Sequence, residues 1–265
     1  MPRFSHGTIF AVRLPFRRLA PSLLAVFLLL IAQIAMAWAD GQDGDQLIET
    51  ARTAGGDVVP YVLTTSGLRN AETIVILMPG GHGQLDPRVV DGQLVSDLAG
   101  NFLIRSRALF ADDRTVALST NATSDADRMG AIVADALQRF PHARVFIIGT
   151  SRSTLATMDL AVSMDGRVAG FVHSSSMRGI ADFDTRPLKS RQLIVHHAND
   201  QCRETPYDAA LANHERYGTP MITMTGGITK GNPCQAKAFH GYDGIEAETV
   251  GRIKDWIARE STPSR

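Results

Sequence analysis

"VFIIGTSRSTLAT", Val145–Thr157, joins an apolar, β-branched run to small residues at helical spacing through a Gly-Thr-Ser-Arg-Ser turn. Two readings compete for Ser151 at its centre. Serine suits turns and helix starts, because its hydroxyl bonds to nearby backbone. It is also the residue a chain exposes when a strand breaks sharply into a helix that carries a nucleophile. The rest of the sequence weighs one against the other.

Working outward, strand-like and helix-like runs alternate along the chain. "VVPYVLTT" (58–65), "TIVILMPGG" (73–81), "RTVALST" (114–120), "ARVFIIG" (143–149), "VAGFVHSS" (168–175), "RQLIVHH" (191–197) and "MITMTGG" (221–227) are rich in β-branched and apolar residues. Helical spacing marks residues 124–140, where Met129, Ile132, Val133, Ala136, Leu137 and Phe140 share one face. Ser124 is the expected cap there, with Asp127 three residues on. Further helices are expected from Ser153 to Met164, around 207–218 and across 244–260, and a short helix or turn over 101–113. Near-continuous apolar strands separated by helices indicate a parallel sheet covered on both faces. The expected fold class is therefore α/β, a doubly wound, mostly parallel sheet. Sites in such sheets form at the carboxyl ends of the strands. No linker, repeat or separate lid is visible, and the longest candidate insertion, "SMRGIADFDTRPLKS" (176–190), is short.

The amino-terminal stretch stands apart from this pattern. Arg3, Arg13, Arg17 and Arg18 precede "LLAVFLLLIAQIAMAWA" (23–39), and no acidic residue occurs before Asp40. A basic region, an apolar region and a small-x-small end at Ala37-Trp38-Ala39 mark a secretory signal peptide over residues 1–39, cleaved after Ala39. An uncleaved anchor is the competing reading, since the apolar run approaches the roughly 20 residues that span a bilayer. Cleavage leaves 226 of the 265 residues (40–265), enough for one α/β domain, with 23 basic and 27 acidic side chains. That mild negative balance lacks the basic footprint a nucleic-acid partner requires. A periplasmic or secreted protein without stable membrane association follows. In such an oxidising compartment the two cysteines, Cys202 and Cys234, are expected to be bridged.

Chemistry enters at the turn. Gly149-Thr150-Ser151-Arg152-Ser153 is the only G-x-S of the chain, and it matches the nucleophile-elbow pattern G-x-S-x-G except at its last position. A serine hydroxyl needs a base, and the base an orienting carboxylate, in the chain order serine, acid, histidine. "LIVHHANDQC" (193–202) ends a strand near Asp200; Glu204 and Asp208 are rivals farther from the strand end. After Asp200 only His214 and His240 remain. His214 falls in a helical run, where a solvated surface histidine is the default, whereas His240 lies between the last strand and the last helix. The glycines of "ILMPGGHGQL" (76–85) free backbone N–H groups to face a substrate oxygen, and the amide of Arg152 is the expected partner donor. His82 in that loop reads equally as a substrate contact or as a turn histidine.

"MPGGHG", "GTSRS", "VHHAND" and "FHGYDG", in this order and against these elements, resemble the α/β-hydrolase superfamily over essentially the whole chain after residue 39. The likeness is to small, lidless, dienelactone-hydrolase-like bacterial members. It implies Ser151 as nucleophile, Asp200 as acid, His240 as base and Gly81 as the second oxyanion donor. Two positions depart from the pattern: Ser153 and His197 stand where glycine is common. The activity implied is hydrolysis of a small or exposed ester, thioester or lactone through an acyl-enzyme, with no cofactor or metal. Cys202 and Cys234 would then tie the acid loop to the base loop.

Three other readings compete. His196, His197 and Asp200 are close enough in sequence to suggest metal ligands, but neighbouring strand residues face opposite ways. A non-catalytic binding protein on a hydrolase scaffold would not need a full triad. An acyltransferase would use the same groups with a different acceptor. Arg105, Met177, Arg178 and Phe183 are candidates for the cleft wall.

Overall fold

The computed structural model describes residues 45–67 and 70–259. The segment read as a signal peptide lies outside the described residues. The strands are β1 (Asp45–Arg52), β2 (Val58–Thr65), β3 (Thr73–Met78), β4 (Arg88–Val90), β5 (Gln93–Val95), β6 (Thr115–Thr120), β7 (Arg144–Thr150), β8 (Gly170–Ser174), β9 (Arg191–His197) and β10 (Met221–Met224). Eight of them form one sheet in the order β1-β2-β6-β3-β7-β8-β9-β10. β1 and β2 pair antiparallel and β2 meets β6 antiparallel; every other pairing in this sheet is parallel. β4 and β5 make a separate small hairpin.

Helices α1 (Phe102–Arg105), α2 (Arg107–Phe110), α3 (Ala126–Arg139), α4 (Ser153–Ser163), α5 (Tyr207–Tyr217) and α6 (Glu246–Ala258) flank the sheet. Strand alternation sends successive side chains to opposite faces. On β3, Ile74, Ile76 and Met78 join Met129, Ile132 and Ala136 of α3 and Leu160 and Ala161 of α4. Val75 and Leu77 instead join Phe102 and Leu103 of α1, Phe110 of α2 and Val250, Ile253 and Ile257 of α6. A sheet buried on both faces needs apolar residues at every position, which is why β3 is buried along its full length. The expected doubly wound architecture is the observed one. No large helical insertion interrupts the alternation among the described residues: residues 175–190, between β8 and β9, hold only the 3-10 turn Arg178–Asp182.

One local expectation changes. α3 is capped by Asp125, whose carboxylate accepts from Asp127 N at 2.8 Å and Arg128 N at 3.2 Å, and not by Ser124. A charged acceptor at the positive end of a helix outcompetes a hydroxyl one residue earlier. Residues 101–113 form two short helices, α1 and α2, broken at Ser106.

Candidate active site

Only Ser151 and Arg152 separate β7 from α4. Ser151 adopts φ +56°, the left-handed region that a residue with a Cβ enters at a cost. The turn is held from both sides. Ser151 N donates to Ser174 O at 2.9 Å, and Thr154 N donates to Ser151 O at 2.9 Å. The tight crossing of strand and helix falls at Gly149: a Cβ there would lie 2.7 Å from Thr157 Cγ2 and 2.9 Å from Ser153 O.

Ser153, the departure from the second glycine, is buried and used. Its Oγ accepts from Thr150 N at 2.8 Å and sits 2.8 Å from Met78 O and 3.0 Å from Thr150 O as a donor. The hydroxyl thus straps the elbow to the end of β3. Ser153→Gly should lower unfolding free energy by about 1–3 kcal/mol, because it leaves a buried amide and carbonyl without partners. Urea denaturation checks this, and a variant as stable as wild type would show the strap to be idle.

Asp200 follows β9 and His240 lies in the 3-10 turn Phe239–Gly241. Forty residues apart in sequence, they meet: His240 Nδ1 is 2.9 Å from Asp200 Oδ2. Thr205 Oγ1 donates to the same oxygen at 3.0 Å and lies 3.0 Å from His240 Nδ1. The other oxygen, Oδ1, accepts from Cys202 N at 2.9 Å. With Nδ1 bound to the carboxylate, His240 Nε2 is the nitrogen left to face a nucleophile. Burial alone pushes the Asp200 carboxyl up, but the donors His196 and His240, the charge of His240 and the Cys202 amide outweigh it. They hold Asp200 well below the usual carboxylate range. A depressed carboxyl stabilises the fold above the ordinary value, and that contribution is lost as pH falls through the folded one. The difference in unfolding free energy between wild type and Asp200→Asn should therefore shrink as pH drops below about 4. A difference independent of pH would contradict the depression.

The loop carrying His240 is braced from behind. Tyr242, fully buried with φ +56°, donates from its hydroxyl to Val195 O at 2.9 Å and accepts from Ser175 N at 3.1 Å. Ser175 Oγ donates to His240 O at 2.7 Å. Arg105 holds the next carbonyl, Gly241 O, at 2.7 Å, together with Gly100 O at 2.8 Å and Glu246 Oε1 at 2.8 Å. His197, the other departure, accepts from Asn199 N through Nδ1 at 3.0 Å, so its Nε2 donates to Gly226 O at 2.9 Å. Its ring stacks on Phe239, beside His240, at 4.6 Å. His196 and His197 thus engage different partners, as the alternation of a strand requires. His214 is an exposed helix residue whose Nδ1 is 2.8 Å from Thr219 O.

Ser151, His240, Gly81 and Arg152 line one cleft of about 510 Å³ at the carboxyl edge of the sheet. Gly80 brings the glycine loop against the elbow: a Cβ on it would lie 2.9 Å from Ser151 Cβ and 2.8 Å from Thr150 O. Gly81 takes φ +64°, which glycine adopts freely. The amides of Gly81 and Arg152 donate to no partner among the described residues, which leaves both for an incoming oxygen. His82 is outside this cleft. It borders a neighbouring hollow of about 320 Å³ with Leu155 and Asp159, and its Nδ1 accepts from Gln84 N at 3.2 Å, as a turn histidine does. Of the candidate wall residues, Met177 lines the cleft, whereas Arg105 lies behind the loop carrying His240, Arg178 binds Arg203 O at 2.7 Å and Phe183 packs on His173 at 5.7 Å.

Cys202 and Cys234 are joined by a disulfide with a sequence separation of 32, and both residues line the cleft. The bond links the segment carrying Asp200 to the segment leading into His240. Reduction should lower unfolding free energy by about 3–4 kcal/mol on the loop-entropy model. Urea titrations with and without a thiol reductant measure it. Superimposable curves would mean that the bridge constrains nothing.

No family model matches the sequence, and no curated protein matches it. Similarity appears in solved structures. An α/β serine hydrolase without lid from Xanthomonas campestris superimposes with a TM-score of 0.54 at 10% identity, over 82% of this chain and 97% of that one. An α/β serine hydrolase homologue from Coxiella burnetii gives 0.53 at 14%, over 80% and 97%. The esterase domain of a Rhodothermus marinus protein gives 0.56 at 11%, over 81% and 98%. These likenesses join the strand order and the serine-bearing turn after β7 in one conclusion: the chain has the α/β-hydrolase fold, without a large lid among its described residues.

Proposed function

We propose that the chain is an exported serine hydrolase acting on a small or exposed carboxylic ester, thioester or lactone through an acyl-enzyme. The single observation that carries this reading is that Ser151 and His240, from separate segments, line one open cleft, with the buried Asp200 carboxylate 2.9 Å behind His240 Nδ1. His240 takes the Ser151 proton through Nε2, and Ser151 Oγ attacks the acyl carbon. The amides of Gly81 and Arg152 receive the developing oxyanion, where one such donor contributes about 3 kcal/mol. Asp200 keeps the imidazole in the tautomer that leaves Nε2 able to accept, and stabilises the imidazolium. His240 then returns the proton to the leaving group, and water attacking by the same route releases the acid.

Leu98, Phe102, Met177 and Ala236 give the cleft apolar walls for an acyl chain. Export is supported by the arginine-flanked apolar segment ending in Ala37-Trp38-Ala39 and by the disulfide, since structural disulfides persist in oxidising compartments. Purified protein assayed against p-nitrophenyl esters of graded acyl length should hydrolyse the short members. Turnover of none of the esters, with intact fold by circular dichroism, would overturn the hydrolase reading. Mature protein recovered from the periplasm should begin near Asp40; a chain retaining residues 1–39 would overturn cleavage.

A further inference from the structure

His196, the penultimate residue of β9, is fully buried. Its Nε2 is 3.0 Å from Thr205 O and 3.3 Å from Asp200 Oδ2. Both are acceptors, so Nε2 carries a proton. Nδ1 is buried and has no hydrogen-bond partner among the described residues. The ring stands nearly perpendicular to that of Tyr207, centroids 6.0 Å apart, and the Tyr207 hydroxyl is 2.9 Å from Thr223 Oγ1. An unsatisfied buried nitrogen destabilises the fold. Leucine would fill the same position without it, and would lack only the Nε2 donor.

We propose that His196 is a positioning residue for the Asp200–His240 pair, its Nε2–H shared between Thr205 O and Asp200 Oδ2. The inference rests on the reading of Ser151, His240 and Asp200 as a triad. Thr205 is the link: its carbonyl is held by His196, while its hydroxyl donates to Asp200 Oδ2 and lies 3.0 Å from His240 Nδ1. Oδ2 is thereby approached by His196, Thr205 and His240, and Oδ1 by the Cys202 amide. A carboxylate engaged on both oxygens cannot rotate without breaking several of these bonds. His196 also shares the negative charge that Oδ2 presents to His240. Without it, the carboxylate would hold a proton on His240 more tightly.

His196→Leu and His196→Gln test this with a short-chain p-nitrophenyl ester. Glutamine keeps an amide donor at a reach comparable to Nε2. Leucine should lower kcat about 10- to 100-fold, the scale of one charge-assisted hydrogen bond, with KM changed by less than about twofold. The acid limb of its pH–rate profile should move to higher pH, and glutamine should recover part of kcat. In wild type, long-range proton–nitrogen spectra should place the His196 proton on Nε2, a readout independent of whether the variants fold. Wild-type kcat and an unmoved acid limb in His196→Leu, equal losses in both variants, or a proton on Nδ1 would overturn the inference while the triad stood. A wild type inert to esters and to fluorophosphonates would overturn the triad reading and this inference together.

Discussion

Ser151→Ala should reduce ester turnover by about 10⁴- to 10⁶-fold while leaving the fold intact, the scale seen when the nucleophile of a serine hydrolase is removed. The substitution deletes one oxygen at the mouth of a cleft and touches no core cluster. It keeps the backbone bonds of the turn, from Ser151 N to Ser174 O and from Thr154 N to Ser151 O. Alanine has the same Cβ as serine, so the strain of φ +56° is carried over and not relieved. Oxyanion donors and cleft walls remain, so substrate binding should persist and kcat should take the loss. Steady-state kinetics beside a thermal melt measure both. A variant retaining more than about a tenth of wild-type turnover would show that Ser151 does not carry the chemistry.

The second large effect concerns the acid and the base. His240→Ala should cost at least about 10³-fold in kcat and Asp200→Asn about 10⁴-fold. The geometry explains why asparagine is a poor substitute. Oδ2 faces donors from His240 and Thr205, while Oδ1 faces the Cys202 amide. An amide has only one oxygen. Placed toward Cys202, it turns its NH₂ on His240 and enforces the wrong tautomer. Placed toward His240, it opposes the Cys202 N–H with its own N–H and surrenders the charge that stabilises the imidazolium. Glu204→Gln is the control, because Glu204 is exposed at the cleft wall and, among the described residues, His240 Nδ1 is engaged by Asp200 and Thr205. It should stay within about threefold of wild type. Equal losses in Glu204→Gln and Asp200→Asn would move the acid role to Glu204.

The parts of this fold legible in the sequence are those where burial dictates composition. β3, β6 and β7 are buried on both faces and read as unbroken apolar or β-branched runs. β1 is hidden in the sequence for the opposite reason. "DQLIETAR" lies at the sheet edge with mixed exposure, so its polar residues obscure the strand. The three-residue strands of the β4–β5 hairpin are mostly exposed and carry no pattern long enough to read.

The site divides in the same way. Ser151, Asp200 and His240 stand out as candidates in the sequence because each sits at an element boundary. Thr205 and His196 do not, since what marks them is a contact with a segment 35 residues away or the orientation of one ring inside a strand. Ser153 departs from the glycine pattern and serves as a strap, because the close crossing of strand and helix falls at Gly149. His82 shows the converse: a histidine in the glycine loop after β3 whose ring turns to its own backbone. The direction of a side chain on a glycine loop is not encoded in its spacing.

The central claim is that Ser151 is the nucleophile, and an adduct map tests it most directly. Intact protein incubated with a fluorophosphonate should gain the mass of one phosphonyl group. Peptide mapping should place that group on Ser151, and Ser151→Ala should gain nothing. A phosphonyl group on another residue, or a Ser151→Ala protein labelled as fully as wild type, would contradict the account.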